Sequence, residues 1–348
     1  MSRAATGDVT PQPAAEPLLR TMDIRQHFPV RRGFFTPNAY VKAVNGVSFD
    51  VMEGETFGLV GESGCGKSTL GRTLLRLIEP TDGACYYRNE NIFEKSQAEF
   101  GKYRRELQMV FQDPYSSLNP KMRVGSILEE AMSIHGIGTH KERTDRVIEL
   151  LETVGLSSEH YFRFPHEFSG GQRQRINLAR ALSLTPKVVV CDETVSALDV
   201  SIQAQVLNLM KRIRKKFNLS YLFISHDLGV VKYISDRIGV MYLGNLVEVA
   251  TAKELFEAPK HPYTQALISA LPKTNPRGEK QRIKLTGEVP SPLNPPSGCC
   301  FHTRCPHATD ICRKVVPTTR SISGTHKAAC HLYEDSVRRC SPTPLHSS

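Results

Sequence analysis

The chain has 348 residues, 40% of them hydrophobic, and a formal net charge of +10 from 45 basic and 35 acidic side chains. That suffices for one sizeable core and is long for one domain, so a main domain with a small appendage is expected. No apolar run approaches the roughly 18–20 residues that span a bilayer, the Pro/Ala-rich start up to Pro17 lacks a secretory apolar core, and no Lys/Arg block interleaved with aromatics marks a nucleic-acid surface.

Residues 1–17 therefore read as a disordered tail. Val41–Phe49 and Thr56–Val60 are rich in β-branched and apolar residues and read as strands, separated by the turn-like Glu53-Gly54-Glu55. A helix is expected from Lys67 to about Ile78, stopped near Pro80. Residues 81–111 read as further strands and a charged helix, and 120–185 as mainly helical. Within the latter, Lys141–Val154 places Val147, Leu150, Leu151 and Val154 on one face and stops at Gly155. Strand Lys187–Cys191 precedes a helix from Ser201 to about Phe217. Strand Ser220–Ile224, a short helix and strand Ile238–Leu243 follow, with Gly244-Asn245 as a hairpin turn. Strands alternating with helices predict an α/β fold with a parallel sheet. After about Leu271 the chain becomes Pro-rich, and six of its nine cysteines crowd the last fifty residues.

Gly61-Glu62-Ser63-Gly64-Cys65-Gly66-Lys67-Ser68-Thr69 lies after a strand and before a helix, which is the setting of a phosphate-binding loop. Its glycines let backbone N–H groups curl around phosphate oxygens, and the helix N-terminus adds a positive dipole. Lys67 supplies charge for the β- and γ-phosphates of ATP and Ser68 an oxygen for Mg²⁺. The apolar run Val188–Cys191 ends in Asp192 and Glu193. A buried strand delivers such carboxylates to the sheet's C-terminal edge, where Asp192 suits Mg²⁺ and Glu193 is placed to orient or deprotonate a water.

Phe168-Ser169-Gly170-Gly171-Gln172 resembles the signature sequence of ATP-binding cassette (ABC) ATPases, usually Leu-Ser-Gly-Gly-Gln. The order phosphate loop, Gln112, signature, acidic strand, His226 makes the resemblance specific. It implies a RecA-like core with a parallel sheet, an antiparallel β subdomain, an α-helical signature subdomain at about 113–185 and a domain spanning 18–258. It further implies that Gln112 is the Q-loop residue touching Mg²⁺ and that Ser196-Ala197-Leu198-Asp199 is the D-loop. His226 is then the switch histidine on the γ-phosphate, and Ser169 and Gly171 contact ATP held by a partner ATPase. The catalytic set so implied is Lys67, Gln112, Glu193 and His226. For the aromatic that stacks on adenine, Phe28 is chosen, with His27 and Tyr40 as alternatives. One departure is Thr194, where the family usually has proline; proline would fix φ, so a looser loop is expected here.

Ala43–Phe49, Tyr115–Pro120, Ala204–Asn208, His261–Leu267 and Gly287–Pro296 are similar to the ATPases of bacterial dipeptide/oligopeptide importers, and to the second of their two ATPases. The resemblance implies a heterodimer with another ATPase, two membrane-spanning permeases and, indirectly, a periplasmic or lipid-anchored solute-binding protein, at the cytoplasmic face of the inner membrane. Nickel, glutathione and oligosaccharide importers share much of the pattern. A soluble ABC ATPase of translation or DNA repair is disfavoured by the single phosphate loop and the absence of sustained heptads. Residues 259–333 read as a small irregular extension and 334–348 as a disordered tail. Cys299, Cys305, Cys312 and Cys330 are spaced too widely for zinc knuckles. Some members of the branch bind a [4Fe–4S] cluster at similar cysteines, so a cluster is expected, with zinc as the alternative.

Overall fold

A computed structural model describes residues 16–30, 39–113, 115–271 and 283–334. The expected tails therefore lie almost wholly outside the described residues, as does Cys340.

The N-terminal half runs β1 (Leu19–Val30), β2 (Ala39–Val47), β3 (Asp50–Val51), β4 (Thr56–Val60), α1 (Lys67–Leu74), β5 (Asp82–Tyr87) and β6 (Glu90–Asn91). Two one-turn helices, α2 (Gln97–Phe100) and α3 (Tyr103–Glu106), lead to β7 (Leu107–Val110). Helices α4 (Val124–Ile134), α5 (His140–Thr153) and α6 (Gly170–Leu182) follow, then β8 (Val188–Asp192), α7 (Val200–Phe217), β9 (Ser220–Ile224), α8 (Leu228–Ile234), β10 (Arg237–Tyr242) and β11 (Asn245–Thr251). The chain closes through α9 (Ala252–Glu257), α10 (Pro262–Ser269), α11 (Asp310–Lys314), β12 (Thr319–Ser323) and β13 (His326–Ala329).

Two sheets result. One is antiparallel, in the order β2-β1-β5-β6 with β3 also on β1. The other runs β12-β13-β11-β10-β4-β9-β8-β7, parallel from β10 to β7. Strands β4, β8 and β9 are buried along their whole length, which is why they read as unbroken apolar runs rather than alternations. Helix α1 lies between the sheets, with Leu70 and Leu74 in the core. The expected face of α5 is buried, and a Thr139–Glu142 capping box starts that helix.

Three expectations shift. Helix α1 ends at Leu74 rather than Ile78, because Arg76 takes a left-handed φ of 49°. The β10–β11 turn is Leu243-Gly244, one residue earlier than read: Tyr242 pairs with Asn245, and both turn residues have positive φ, 43° and 76°. The C-terminal extension is not wholly irregular. Its hairpin β12–β13 joins the main sheet through β11, with His326 and Ala328 turned inward.

Candidate functional site

The loop 61–69 is bent by glycines at positive φ, 79° at Gly64 and 102° at Gly66. A Cβ on Gly66 would lie 1.9 Å from the Ala43 carbonyl oxygen on β2, so no other residue fits there. Gly66 also caps α1 without a side-chain partner, which leaves the helix's first N–H groups to an outside acceptor. Lys67 is buried, and its Nζ donates to the carbonyls of Gly61 (2.8 Å) and Glu62 (3.1 Å). Ser63 and Thr69 complete the loop, and burial pushes the Cys65 thiol up, which keeps it neutral there. An uncapped helix N-terminus beside a lysine ammonium is an anion seat.

Two strands away, β8 carries Asp192 to the same edge. The Ser68 hydroxyl donates to Asp192 Oδ1 at 2.6 Å. The carboxyl is fully buried, and its Oδ2 has no hydrogen bond; the nearest charge is Arg72 Nη2 at 3.7 Å. Burial raises the Asp192 pKa, against the Ser68 bond and the Arg72 charge. An orphaned buried oxygen beside a serine hydroxyl is an all-oxygen donor set, which suits a hard cation such as Mg²⁺. Arg72 was not foreseen; its place one turn into α1 follows only from the docking of that helix.

Glu193 follows directly, at a left-handed φ of 46°, with its N–H on the Ile224 carbonyl at 2.9 Å. Its Oε2 accepts from Gln112 Nε2 at 3.0 Å, and its Oε1 lies 3.2 Å from His226 Nδ1. Gln112 stands two residues beyond β7 and His226 two residues beyond β9, so three adjacent parallel strands supply the trio. Asp227 accepts from the N–H groups of Gly229 (2.7 Å) and Val230 (3.2 Å), which fixes the turn that presents His226. Thr194 is buried with its hydroxyl unpartnered, yet the loop after it is closed: Ser196 donates to the Glu193 carbonyl from N (3.2 Å) and Oγ (2.9 Å). The expected loosening has no counterpart in that geometry.

The signature residues stand apart from this trio. Ser169 caps α6, bonding reciprocally with Gln172. A Cβ on Gly171 would come 2.5 Å from Ile202 Cγ2, and one on Gly170 3.7 Å from Leu198 Cδ2. The signature turn thus rests on the start of α7, where Asp199 is the exposed N-cap without a side-chain bond. Phe28 is half-exposed on β1 opposite Val41, and Tyr40 is exposed next to it on β2. His27 sits one register closer to the phosphate loop, with its pKa lowered by burial.

The C-terminal lobe reaches the phosphate loop, which sequence spacing did not foretell. Tyr263 Oη accepts from the Glu62 N–H at 2.9 Å, and Arg304 Nη1 and Nη2 lie 2.8 and 3.2 Å from Glu62 Oε2 and Oε1. In the same lobe Cys299 N donates to the Cys312 carbonyl at 2.8 Å, and Cys312 Sγ lies 3.3 Å from Thr309 Oγ1. The Cys330 thiol, pushed up to about 11 mainly by burial, also feels Cys299, Cys305 and Cys312. Cys299, Cys305, Cys312 and Cys330 are free of disulfides, and among the described residues no three His, Cys, Asp or Glu side chains are set to hold a metal ion. Cys300 points elsewhere, onto the Tyr242 carbonyl at 3.9 Å.

Comparison with known proteins agrees with this geometry. Residues 44–196 match the family described as "ABC transporter", and residues 247–312 the family described as "Oligopeptide/dipeptide transporter, C-terminal region". The chain is 53% identical over 322 residues to the oligopeptide transport ATP-binding protein AppF of Bacillus subtilis, covering 91% of this chain and 98% of that one. It is 50% identical over 320 residues to the dipeptide transport ATP-binding protein DppF of Escherichia coli, covering 92% and 96%. Among solved structures, cbiO1 from Clostridium perfringens superposes with a TM-score of 0.60 at 24% identity, over 70% of this chain and 91% of that one. The ATP-binding cassette MJ0796, in a dimer bound to ADP and Pi, gives 0.59 at 25% identity, over 67% and 98%.

Proposed function

This chain belongs to the ABC transporter family, and we propose that it is the ATP-hydrolysing subunit of an importer of dipeptides or oligopeptides. The observation that carries the reading is a meeting at one sheet edge: Lys67 in its loop, the Ser68–Asp192 pair, and Glu193 between Gln112 and His226. In this reading the loop's N–H groups and Lys67 bind the triphosphate. Ser68, Gln112 and Asp192 would hold Mg²⁺, which when bound neutralises phosphate charge. Glu193 orients the attacking water and takes its proton. Gln112 and His226 hold the two Glu193 oxygens from either side and so orient the carboxylate. His226 then contacts the γ-phosphate, and Phe28 stacks on adenine.

Ser169, Gly171 and Asp199 have no such partners in their own chain's trio, which supports a site completed by a second, homologous ATPase. ATP then joins the two subunits, and its hydrolysis releases them. First-order dependence of hydrolysis on the isolated chain would defeat this arrangement. Among the described residues no helix is long and apolar enough to cross a membrane. We therefore assign transport to two permease subunits, fed by a solute-binding protein, with this chain peripheral on the cytoplasmic face of the bacterial inner membrane. A groove of about 220 Å³ beside Gln112, walled by Leu77, Met109 and Phe111, is a suitable permease seat. The test is ATP hydrolysis by the reconstituted complex in the presence of its binding protein. Stimulation by a dipeptide or oligopeptide is expected; stimulation only by nickel, glutathione or an oligosaccharide would overturn the substrate assignment.

For the lobe, the reading is a [4Fe–4S] cluster on Cys299, Cys305, Cys312 and Cys330, with zinc as the alternative. Four free thiols in one lobe support it. Anaerobically purified protein should carry about four iron and four sulfide per chain. Zinc without sulfide, or no metal, would remove the cluster.

A further inference from the structure

Glu62 is the second residue of the phosphate loop, and its side chain stays partly open to solvent. A carboxylate on a loop that receives a triphosphate is repulsive unless it is neutralised or held aside. In this chain the carboxylate is gripped at both oxygens by Arg304, in the fork-on-fork arrangement that fixes direction as well as charge. Arg304 is itself buried. It rests over the Tyr242 ring, 5.8 Å from its centroid, with Nη1 3.5 Å from Tyr242 Oη. Tyr242 packs on Tyr263 and Phe301 at 4.7 and 5.2 Å, and Tyr263 takes the Glu62 N–H. Backbone and side chain of one phosphate-loop residue are thus both anchored by the C-terminal lobe.

We infer that Arg304 is a positioning residue for nucleotide binding: it neutralises Glu62 and holds its carboxylate to the lobe, so that the loop that receives the phosphates presents no free negative charge to them. The lobe thereby acts on ATP affinity without touching ATP. This rests on the ATPase reading above. A merely structural staple between lobe and loop would make a different prediction, because loss of either partner would then be equally harmful.

The experiment measures MgATP hydrolysis by the full complex carrying Arg304→Gln, Glu62→Gln, or both, with unfolding midpoints as the control on folding. Arg304→Gln should raise KM for ATP about tenfold, the loss of roughly one buried charge contact, with kcat within about twofold. Glu62→Gln alone should raise KM by less than Arg304→Gln does, and the double variant should match Glu62→Gln rather than Arg304→Gln, because the unneutralised carboxylate is gone. Arg304→Lys keeps the charge but loses the fork, so its KM should lie between those of wild type and Arg304→Gln. It decides the matter if the glutamine variant does not fold. An unchanged KM for Arg304→Gln, a double variant as weak as Arg304→Gln, or a tenfold rise for Arg304→Lys overturns the inference. Wild-type protein that does not hydrolyse ATP would overturn the ATPase reading instead.

Discussion

The proposed catalytic edge and the C-terminal lobe hold their polar groups in different ways. At the edge, Gln112, Glu193 and His226 each stand within two residues of the end of a buried strand, and adjacency of β7, β8 and β9 brings them together. In the lobe, partners come from loops and helix starts as well as from strands. Buried Glu248 on β11 accepts from the N–H groups of Lys260 (2.7 Å) and His261 (2.8 Å) and lies 2.6 Å from His326 Nε2. Glu62 takes Tyr263 and Arg304, 201 and 242 positions away. Chemistry is presented by strand ends, which need only a sheet of the right order. The lobe is joined by strand pairing on β11 and by buried polar contacts, which need the whole fold in place.

The first way to break this comparison is Glu193→Gln. The amide keeps the shape but cannot take a proton, so hydrolysis should fall on the order of 10²–10⁴-fold while ATP binding persists. The measurement is phosphate release from a complex whose other site is disabled. Turnover within about twofold of wild type would remove Glu193 from the catalytic role.

The same contrast explains what the sequence disclosed. The phosphate loop, the acidic strand end and His226 are short-range patterns whose chemistry requires a particular order of neighbours. Strands β4, β8 and β9 were visible as apolar runs because both faces are covered. Arg72 and Arg304 were invisible, since an arginine in a helix or a loop carries no mark of the carboxylate it will meet. The end of α1 and the Leu243-Gly244 turn were misplaced for a related reason: Arg76 and Leu243 adopt positive φ, which their residue types do not announce. The β12–β13 hairpin escaped notice because its alternation is short and its pairing partner, β11, lies far upstream.

On the lobe side, His326→Ala should cost about 3 kcal/mol of stability, as expected when one partner leaves a buried pair. Glu248 would keep only the two backbone donors. Urea unfolding measures it, and a loss under about 0.5 kcal/mol would show that the pair does not hold the hairpin to the sheet. If the regions are as separable as their contacts suggest, the folded fraction of this variant should keep a near wild-type kcat at saturating ATP, because no group of the Glu193 trio contacts His326 among the described residues.

The smallest effect tests whether the edge gives up stability for its chemistry. Asp192 is buried, one oxygen has no hydrogen bond, and its pKa is raised, chiefly by burial. The folded chain therefore holds a proton on Asp192 more tightly than the unfolded chain does. Between the ordinary carboxylate pKa of about 3.9 and the raised value, the folded chain binds more protons, so this group's contribution to stability falls as pH rises through that window. Above the window the ligand-free fold carries the whole penalty of an ionised buried carboxylate. Asp192→Asn removes the charge, keeps an acceptor for Ser68, and should raise the ligand-free unfolding midpoint at neutral pH by a few degrees. The gain should shrink as pH is lowered through the window, and MgATP-dependent stabilisation should be lost. A midpoint that drops in the asparagine variant at neutral pH would mean that the Arg72 and Ser68 contacts outweigh burial, and that this edge is not a strained one.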